Sequence, residues 1–306
     1  MTTIELAGLT KRFGRTLAVD DVTATIRSGA VTGFLGPNGS GKSTTMRMIL
    51  GLDGPTAGTA RIGGRAYTQL RDPMRVVGAL LDAGWVHQNR SARSHLRWVA
   101  AAAGLPKGRP EEVLDLVGLT AVARKPVRTF SLGMRQRLGL AGALLGDPEV
   151  LVLDEPVNGL DPAGIAWMRG LLQRLAAQGR TVLVSSHLLA EMAQTATELV
   201  VLGSGRVVAQ GSTADVLGGS AGSVRVQAAD PAALSAAVRA AGLTVRELPG
   251  EQAVEVPGVA PAAVGEIAAQ HQLVLHELTA RQPSLEEAFM ELTGGTAQFV
   301  AKEVAS

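Results

Sequence analysis

The chain has 306 residues, of which 46% are hydrophobic and 18% are charged, a composition typical of a globular protein with one large domain and a smaller one. Its formal net charge of +2 gives no support to a nucleic-acid partner, and the absence of cysteine excludes disulfides, thiol catalysis and cysteine-held metal sites. No apolar run approaches the roughly 18 residues that span a bilayer, and the first residues lack a secretory apolar region, so we expect a cytoplasmic protein.

The N-terminal part of the chain predicts a strand–loop–helix unit. Short strands are expected at residues 4–9 and 22–27, and a buried strand at Val31–Leu35 ends at a glycine-rich turn. A helix is expected at residues 44–50, and a further strand at residues 59–62 follows a cluster of turn residues. A strand, a glycine-rich loop and a helix in this order are typical of an α/β doubly wound sheet.

The turn after the third strand matches the phosphate-binding pattern G-x-x-x-x-G-K-[ST]. It comprises Gly36, Pro37, Asn38, Gly39, Ser40, Gly41, Lys42 and Ser43, and Thr44 follows it. Glycines let the backbone N–H groups point at phosphates, and the next helix adds its positive N-terminal end. We expect Lys42 to reach the β- and γ-phosphates and the Ser43 hydroxyl to ligate Mg²⁺. An ordinary glycine-rich turn is the alternative, but the strand–loop–helix context favours a nucleoside triphosphate site.

Two carboxylates follow a second buried strand. Helices are expected at residues 94–103 and 110–117, and the apolar run Val150–Leu153 then ends in Asp154 and Glu155. Ligands of α/β sheets bind at the carboxyl ends of the strands. We therefore expect Asp154 to hold Mg²⁺ through its water shell and Glu155 to polarise the attacking water as a general base. A solvated acidic turn before a helix is the alternative.

The pattern of the remaining residues indicates where the first domain ends and a second, smaller domain begins. A helix is expected at residues 165–178, a buried strand at Thr181–Ser185, and a hairpin near residues 199–209. Because glycines cluster at residues 218–222, we place a nucleotide-binding domain at 1–218 and an accessory domain at 223–306. The accessory domain predicts a βαββαβ order typical of a ferredoxin-like module, with elements expected at residues 224–228, 231–241, 245–248, 253–256, 260–270 and 273–278, and a last helix near 284–292.

With both motifs in place, the segment Phe-Ser-Leu-Gly-Met-Arg-Gln-Arg from position 130 resembles the signature of the ATP-binding cassette (ABC) family, L-S-G-G-Q-x-Q-R. Ser131 and Gly133 match this signature, whereas Phe130, Leu132 and Met134 depart from it. The resemblance implies that Ser131 and the Gly133 N–H bind the γ-phosphate of ATP held by the phosphate loop of a second copy. The physical basis for such binding is that a helix N-terminus attracts anions, with Ser131 here as the expected N-cap. The alternative is a serine-capped helix without a ligand.

Three further residues occupy positions that resemble motifs of the same family. Asp161, in Asn-Gly-Leu-Asp, corresponds to the D-loop, which crosses to the partner copy. His187 corresponds to the switch histidine that contacts the γ-phosphate, and Phe13 to the aromatic residue that stacks on adenine. A lone histidine can equally be a structural residue, and a phenylalanine can fill a core. The placement of His187 after the strand Thr181–Ser185 favours the functional interpretation.

The Q-loop of the family is the weakest match. The segment that begins at Val77 ends in Asp82, where the family has a glutamine. The shorter carboxylate can still approach Mg²⁺ through water, so Asp82 is a candidate metal residue. Gln88 lies six residues later and is the alternative.

The resemblance covers residues 2–217 and implies the ATPase subunit of a transporter, with ATP and Mg²⁺ as cofactors. It implies a head-to-tail dimer of two copies and a separate integral-membrane permease that holds the chain at the inner face of the cell membrane. The surface around residues 82–94, where Trp85 is an anchor or a core residue, is expected to receive the permease. Residues 283–289 resemble the tail of ATPases from bacterial two-component drug exporters, which implies export of drug-like or hydrophobic molecules. The C-terminal domain is then a regulatory or dimer-supporting module, or a simple stabilising extension.

The competing hypothesis is a soluble cassette ATPase that acts on nucleic acid or ribosomes. Such chains usually carry two cassettes, a coiled-coil insertion or basic segments, and this chain has one cassette, no sustained heptads and no lysine/arginine block. A P-loop GTPase is disfavoured because no segment supplies the guanine-reading sequence N-K-x-D. We therefore expect an ABC-type nucleotide-binding domain of α/β fold with a small C-terminal α+β domain, and no nucleic-acid partner.

Overall fold

The computed structural model describes residues 1–187, 189–218, 222–248 and 253–281. The described chain divides into two units, of which the first ends at Thr213 and the second begins at Ala214. None of the helices in these ranges is both long enough and apolar enough to cross a membrane. The helix expected near residues 284–292 and the exporter-like segment 283–289 lie outside the described residues.

The strands of the first unit include the predicted ones in the predicted order; several are longer than predicted, and the strand at Val77–Leu80 was not predicted. In chain order they are β1 (Ile4–Phe13), β2 (Thr16–Ile26), β3 (Val31–Leu35), β4 (Ala57–Ile62), β5 (Val77–Leu80), β6 (Val150–Leu153), β7 (Thr181–Ser185), β8 (Glu198–Gly203) and β9 (Arg206–Ser212). β3, β6 and β7 have the predicted bounds. β1 and β2 extend further because a turn at Gly14, with φ 55°, joins them into one antiparallel hairpin. Register shifts interrupt the alternation of this hairpin and hid its length from the sequence pattern.

Within the described residues, six of these strands form one sheet in the order β5-β6-β7-β3-β8-β9. Neighbouring strands are parallel except for β8 and β9, which form the predicted hairpin. β3, β6 and β7 are buried along their whole length. Continuous apolar strands of this kind are typical of a parallel sheet covered on both faces. The predicted α/β fold is therefore confirmed.

The strand order brings four chain segments to one edge of this sheet. Leu80 lies opposite Leu153, Leu153 opposite Val184, and Phe34 opposite Ser185. The carboxyl ends of β5, β6, β7 and β3 therefore follow one another along the edge. Ligands of α/β sheets bind at such an edge.

The other three strands form an antiparallel sheet in the order β2-β1-β4, which the sequence did not predict as a separate layer. Its inward side chains, among them Ile4, Leu9 and Ile26, belong to the same core cluster as Phe34 of β3. Met46 of the helix after β3 joins this cluster as well. Burial of these apolar side chains is the main term that holds the antiparallel sheet against the parallel one.

The helices of the first unit are α1 (Lys42–Ile49), α2 (Pro73–Val76), α3 (Ala92–Ala102), α4 (Arg109–Leu116), α5 (Leu132–Leu144), α6 (Pro162–Ala177) and α7 (Leu189–Thr195). A further helix, α8 (Thr213–Gly218), begins at Thr213, the residue at which the first unit ends. Serine or aspartate side chains cap three of them: Ser91 caps α3, Ser131 caps α5 and Asp161 caps α6. Such caps satisfy N–H groups that the first helical turn leaves without a partner. α6 consequently starts three residues before the predicted bound.

The second unit has the predicted βαββαβ order. Its elements are β10 (Ser223–Ala228), α9 (Pro231–Ala240), β11 (Arg246–Glu247), β12 (Ala253–Pro257), α10 (Pro261–Gln270) and β13 (Leu275–Arg281). The described strands pair antiparallel in the order β11-β12-β10-β13. The buried apolar side chains of β10 and β12 pack with those of α9 and α10, so this unit has its own core. β11 is shorter than predicted, and β13 begins and ends later.

Candidate functional site

The phosphate loop joins β3 to α1 at the carboxyl edge of the parallel sheet. Gly39 and Gly41 have φ angles of 82° and 96°, which glycine adopts without strain. A Cβ atom on Gly41 would lie 2.6 Å from the carbonyl oxygen of Ala18, and one on Gly36 would lie 2.7 Å from that of Leu202. Side chains are therefore excluded from both positions, and the backbone forms the surface of the loop.

Donor groups at the start of α1 face this loop. Gly41 occupies the N-cap position and supplies no side-chain cap, while the Thr45 N–H already bonds to the Gly41 carbonyl at 2.8 Å. The N–H groups of the first helical turn have no acceptor within their own helix. The Ser40 hydroxyl is 2% exposed and has no hydrogen-bond partner among the described residues. These donors, together with the positive end of the helix, fit the phosphates of a nucleotide.

Lys42 lies buried against the loop. Its Nζ donates to the carbonyl oxygens of Gly36 and Pro37 at 2.6 and 3.1 Å. Burial lowers the pKa of Lys42, and the charges of Glu155 and Asp154 act in the opposite direction. Neutral carbonyl groups compensate a buried ammonium only in part, whereas an anionic oxygen would do so more fully. The lysine is therefore suited to a phosphate ligand.

One serine of β7 holds both acidic residues at the end of β6. The Ser185 hydroxyl donates to Oδ1 of Asp154 and accepts the Glu155 N–H at 2.9 Å. Ser185 is fully buried, and the Asp154 N–H donates to the Leu80 carbonyl at 2.7 Å. Ser185 therefore holds the Asp154 carboxylate and fixes the backbone of Glu155. This role of Ser185 could not be predicted from the sequence, because its partner Asp154 lies 31 residues away in the chain.

Glu155 and His187 are in direct contact. His187 Nδ1 lies 2.7 Å from Glu155 Oε2, and the His187 N–H approaches the same oxygen at 3.4 Å. The Glu155 backbone has φ 49°, in the left-handed region where few non-glycine residues occur. Gln136, another residue to which the sequence analysis gave no role, donates from Nε2 to the Glu155 carbonyl at 3.3 Å. Backbone strain of this kind concentrates at functional sites.

The residues that resemble the signature and the D-loop touch each other within one chain. The Ser131 hydroxyl accepts the Met134 N–H at 3.2 Å and caps α5. A Cβ atom on Gly133 would lie 3.0 Å from the carbonyl oxygen of Gly159. Leu132 packs directly on Gly159, where a Cβ atom would overlap the leucine side chain. Leu132, which departs from the family signature, is thus accommodated by a glycine in the D-loop.

Asp82 lies two residues after β5, at the same edge of the sheet as Asp154. It is exposed, and its Oδ1 accepts the Gly84 N–H at 2.6 Å. The alternative residue, Gln88, is also exposed, and its side chain donates to the Val86 carbonyl at 3.4 Å. Of the two candidates, Asp82 therefore lies at the carboxyl edge of the sheet, whereas Gln88 lies further along the loop.

Phe13 and Asp161 also lie at the surface. Phe13 is 49% exposed at the end of β1, and Lys11 Nζ lies 5.0 Å from its ring centroid, so it does not fill a core. The β1–β2 hairpin that carries Phe13 flanks the phosphate loop through the contact of Ala18 with Gly41. Asp161 caps α6 by accepting the Gly164 N–H at 2.9 Å.

The candidate metal residues form an open, incomplete set. The described residues contain no group of three or more histidine, aspartate or glutamate side chains that could hold a metal ion. Ser43 supplies a hydroxyl from α1, and Asp154 a carboxylate from the end of β6. Mg²⁺ usually binds through one or two carboxylates together with waters and substrate phosphates. This set therefore fits Mg²⁺ that arrives with a triphosphate.

An apolar groove lies beside α3. It has a volume of about 530 Å³ and runs between residues 71–75 and α3, with Trp98 and Leu105 in its wall. Trp98 is 57% exposed and Trp85 is 71% exposed, so Trp85 is not a core residue. The Arg90 guanidinium lies 4.8 Å from the Trp98 ring centroid. Exposed aromatic residues of this kind are common in protein–protein interfaces.

Comparison with known proteins decides the family. Residues 19–158 match the family described as ABC transporter. Over 306 residues the chain is 38% identical to the "Uncharacterized ABC transporter ATP-binding protein YhcH" of Bacillus subtilis (strain 168), with 98% of each chain covered. The chain belongs to the ATP-binding proteins of ABC transporters. As a member of this family it binds and hydrolyses ATP.

Other relatives and solved structures agree with this assignment of the ABC ATP-binding protein. "Bacitracin transport ATP-binding protein BcrA" of Bacillus licheniformis is 41% identical over 210 residues, which cover 68% of this chain and 69% of that protein. "Lantibiotic transport ATP-binding protein SrtF" of Streptococcus pyogenes is 34% identical over 205 residues, 67% of this chain and 89% of that protein. A solved "Structure of ATP binding subunit of ABC transporter" has a TM-score of 0.64 and 28% identity, and the match covers 70% of this chain and 91% of that one. Residues 222–286 match a domain of unknown function.

Proposed function

We propose that this ABC ATP-binding protein uses Glu155 as the general base of ATP hydrolysis and powers export of drug-like or hydrophobic molecules through a separate permease. The observation that carries the catalytic assignment is the 2.7 Å contact between Glu155 Oε2 and His187 Nδ1. The substrate class is supported by relatives whose names refer to bacitracin and lantibiotic transport. In this proposal the membrane subunit selects the substrate.

The nucleotide is held by residues from three elements. The loop glycines and the N–H groups at the start of α1 surround the phosphates, and Lys42 exchanges its two carbonyl acceptors for β- and γ-phosphate oxygens. Phe13, half exposed at the end of β1, stacks on adenine. Ser43 and Asp154 would hold Mg²⁺, with Asp82 as a further candidate at the same sheet edge, and the ion would neutralise negative charge on the phosphates.

Glu155 accepts a proton from the water that attacks the γ-phosphate. The Ser185 hydroxyl fixes the Glu155 backbone, and His187 holds one carboxylate oxygen, so the other oxygen remains for the water. His187 uses Nδ1 for Glu155, which leaves Nε2 to face the γ-phosphate. Carboxylate and phosphate oxygens only accept, so holding both at once requires an N–H on each ring nitrogen. Positioning of these groups and electrostatic stabilisation account for most of the catalysis of phosphoryl transfer.

A second copy of the chain completes the site. Ser131 and the Gly133 N–H, at the N-terminus of the 13-residue helix α5, bind the γ-phosphate held by the partner copy. Asp161 lies in the loop that faces the partner. Because Leu132 packs on Gly159 of its own chain, the signature and the D-loop reach the partner as one unit. Closure of the two copies on ATP supplies the free energy that changes the conformation of the permease.

The permease binds at the groove beside α3 and keeps the protein at the inner face of the cell membrane. The groove is large enough for the side chains of a docked helix, and its wall is mainly apolar. Trp98 in the groove wall and Trp85 in the segment 82–94 are both more than half exposed, and they serve as anchors for the permease. Since residues 82–94 connect Asp82 at the sheet edge with α3, movement of the docked helix reaches the nucleotide site through this segment.

Affinity purification from detergent-solubilised membranes tests this function. The tagged chain should recover an integral-membrane protein, and the complex should hydrolyse ATP at a rate that an exported compound stimulates. The Trp85→Ala, Trp98→Ala double variant should lose the membrane protein but bind ATP as tightly as the wild type. Recovery of ribosomes or DNA in place of a membrane protein would contradict the transport assignment.

A further inference from the structure

Helix α7 begins two residues after His187, and its own length does not make it stable. It has seven residues, and isolated helices of this length are unstable in water. His187 is 51% exposed by its side chain, so core packing does not fix its ring. The position of His187 therefore depends on what holds α7 in place.

One contact of α7 is apolar and reaches the strand before the phosphate loop. Met192 is 3% exposed and packs on β3, where a Cβ atom on Gly33 would lie 2.8 Å from the methionine Cγ and Sδ atoms. The packing toward α6 is less complete, because a cavity of about 10 Å³ lies between α6, β7 and α7. This volume is at the lower limit for a single water molecule.

The other contact is a polar cluster between α6 and α7, which we call the clasp. It consists of Arg169 and Gln173 on α6 and of Glu191 and Gln194 on α7. Arg169 Nη2 lies 3.2 Å from Glu191 Oε2, and Arg169 Nη1 donates to Gln194 Oε1. Gln173 Nε2 donates to the Gln194 carbonyl at 3.0 Å. Glu191 and Gln194 are three residues apart and therefore lie on the same face of α7. The planar guanidinium of Arg169 contacts both residues through separate nitrogens, whereas the single ammonium of a lysine has no such fork geometry.

The clasp connects two parts of the proposed catalytic machinery. α6 begins after the Asp161 cap and carries Arg169 two turns later, while α7 begins two residues after His187. Arg169 and Glu191 are 26% and 30% exposed, so solvent screens this ion pair only in part. The pair is thus placed to set the distance between the D-loop helix and the switch histidine.

We propose that Arg169 is a positioning residue, which holds α7 through Glu191 and Gln194 and thereby keeps His187 on Glu155. This inference rests on the proposed function of His187 and Glu155 and extends it to a residue outside the nucleotide site. Loss of the clasp leaves ATP binding intact, because Arg169 touches none of the nucleotide-binding residues in the described contacts. It lowers turnover, because displacement of a catalytic group by about 1 Å can reduce the rate by up to about 100-fold.

Three variants test the role of the fork. Arg169→Met keeps the apolar stem and removes the guanidinium, and it should lower kcat about tenfold with little change in KM. Arg169→Lys should recover only part of the loss, since it restores the charge but not the fork. Arg174→Met, on an exposed position of the same helix, is the matched control and should have wild-type turnover. Equal effects of Arg169→Met and Arg174→Met would overturn the proposal.

A double variant separates positioning from a general loss of stability. If Arg169 acts through His187, then Arg169→Met should cause no further loss in a His187→Ala background. A further tenfold loss there would overturn the proposal. The His187 ring resonances in NMR provide a readout that does not depend on turnover: they should move in Arg169→Met and stay unchanged in Arg174→Met. If His187→Ala itself turns over like the wild type, the proposed function fails, whereas the NMR comparison still decides on the clasp.

Discussion

His187 Nδ1 lies 2.7 Å from Glu155 Oε2, although the two residues belong to different loops at the ends of neighbouring strands. The contact joins the proposed general base to the proposed γ-phosphate sensor. Ser185 supports both sides of it, since it precedes His187 closely in the chain and accepts the Glu155 N–H. The chemistry of the site therefore depends on a small network of hydrogen bonds across β6 and β7.

Replacement of the carboxylate should separate ATP binding from hydrolysis. Glu155→Gln keeps the shape of the side chain but removes the base, so kcat should fall by at least about 100-fold while the Kd for ATP changes little. Trapped dimers should appear in size-exclusion chromatography with ATP. Glu112→Gln, an exposed position on α4, serves as the control. Unaltered turnover of Glu155→Gln would refute Glu155 as the base.

Replacement of the signature serine should stop turnover without affecting binding to the isolated chain. In Ser131→Arg the long side chain blocks the position where the phosphate of the second copy approaches the N-terminus of α5. ATPase activity should drop to the background, and nucleotide titration at low protein concentration should match the wild type. Gln178→Arg, at the exposed end of α6, controls for the added charge. If Ser131→Arg weakens that binding, the site is not shared between copies as proposed.

The buried ammonium of Lys42 should make stability depend on pH. Because burial lowers the pKa of Lys42 below 10.5, the unfolded chain binds more protons than the folded chain between the lowered value and 10.5. The free energy of unfolding that Lys42 contributes therefore rises with pH across this interval. Denaturant titrations without nucleotide should measure the free energy of unfolding of the wild type and of Lys42→Met. The wild-type value should rise relative to that of Lys42→Met as the pH rises. A difference that does not vary with pH would show that the ammonium is not destabilised by burial.

The contact of Leu132 with Gly159 should appear as a coupling between two substitutions. Gly159→Ala places a methyl group inside the leucine side chain and should cost about 1–3 kcal/mol of unfolding free energy. Leu132→Ala in the same chain should recover part of this loss. Gly179→Ala is the control for backbone strain, because Gly179 has φ 90° but open space around the added Cβ. Additive effects at positions 132 and 159 in denaturant titrations would contradict the contact.

Much of the fold could be predicted because its signals are local. The strands β3, β6 and β7 are unbroken apolar runs, and their bounds agree with the prediction. The length of the β1–β2 hairpin could not be predicted, since its register shifts disturb the alternation on which such a prediction depends. Its assembly into a separate sheet with β4 is a pairing between distant segments, and no local pattern encodes it.

In the site, too, residues within continuous motifs could be predicted, whereas residues that act through partners far away in the chain could not. The phosphate loop is a continuous motif, and resemblance marked Ser131 and His187. Ser185, Gln136 and Arg169 act through partners 19 to 31 residues away, so their roles become visible only in three dimensions. Gln136 matches a glutamine of the signature, but the sequence does not show that it bonds to the Glu155 carbonyl. For Ser185 and Arg169, no neighbour along the chain indicates their contacts.

The Lys42 ammonium bridges the carbonyl oxygens of Gly36 and Pro37 and so braces the phosphate loop from within. Association with ATP is then an exchange of acceptors in a preorganised loop, with little entropy to lose. The two carbonyl groups also act as competitors that any incoming anion must replace. A compact monovalent anion reaches Nζ with one oxygen and gains little over them, whereas a triphosphate offers several oxygens at once. Selectivity for the triphosphate over small cellular anions thus begins with the carbonyl groups of Gly36 and Pro37.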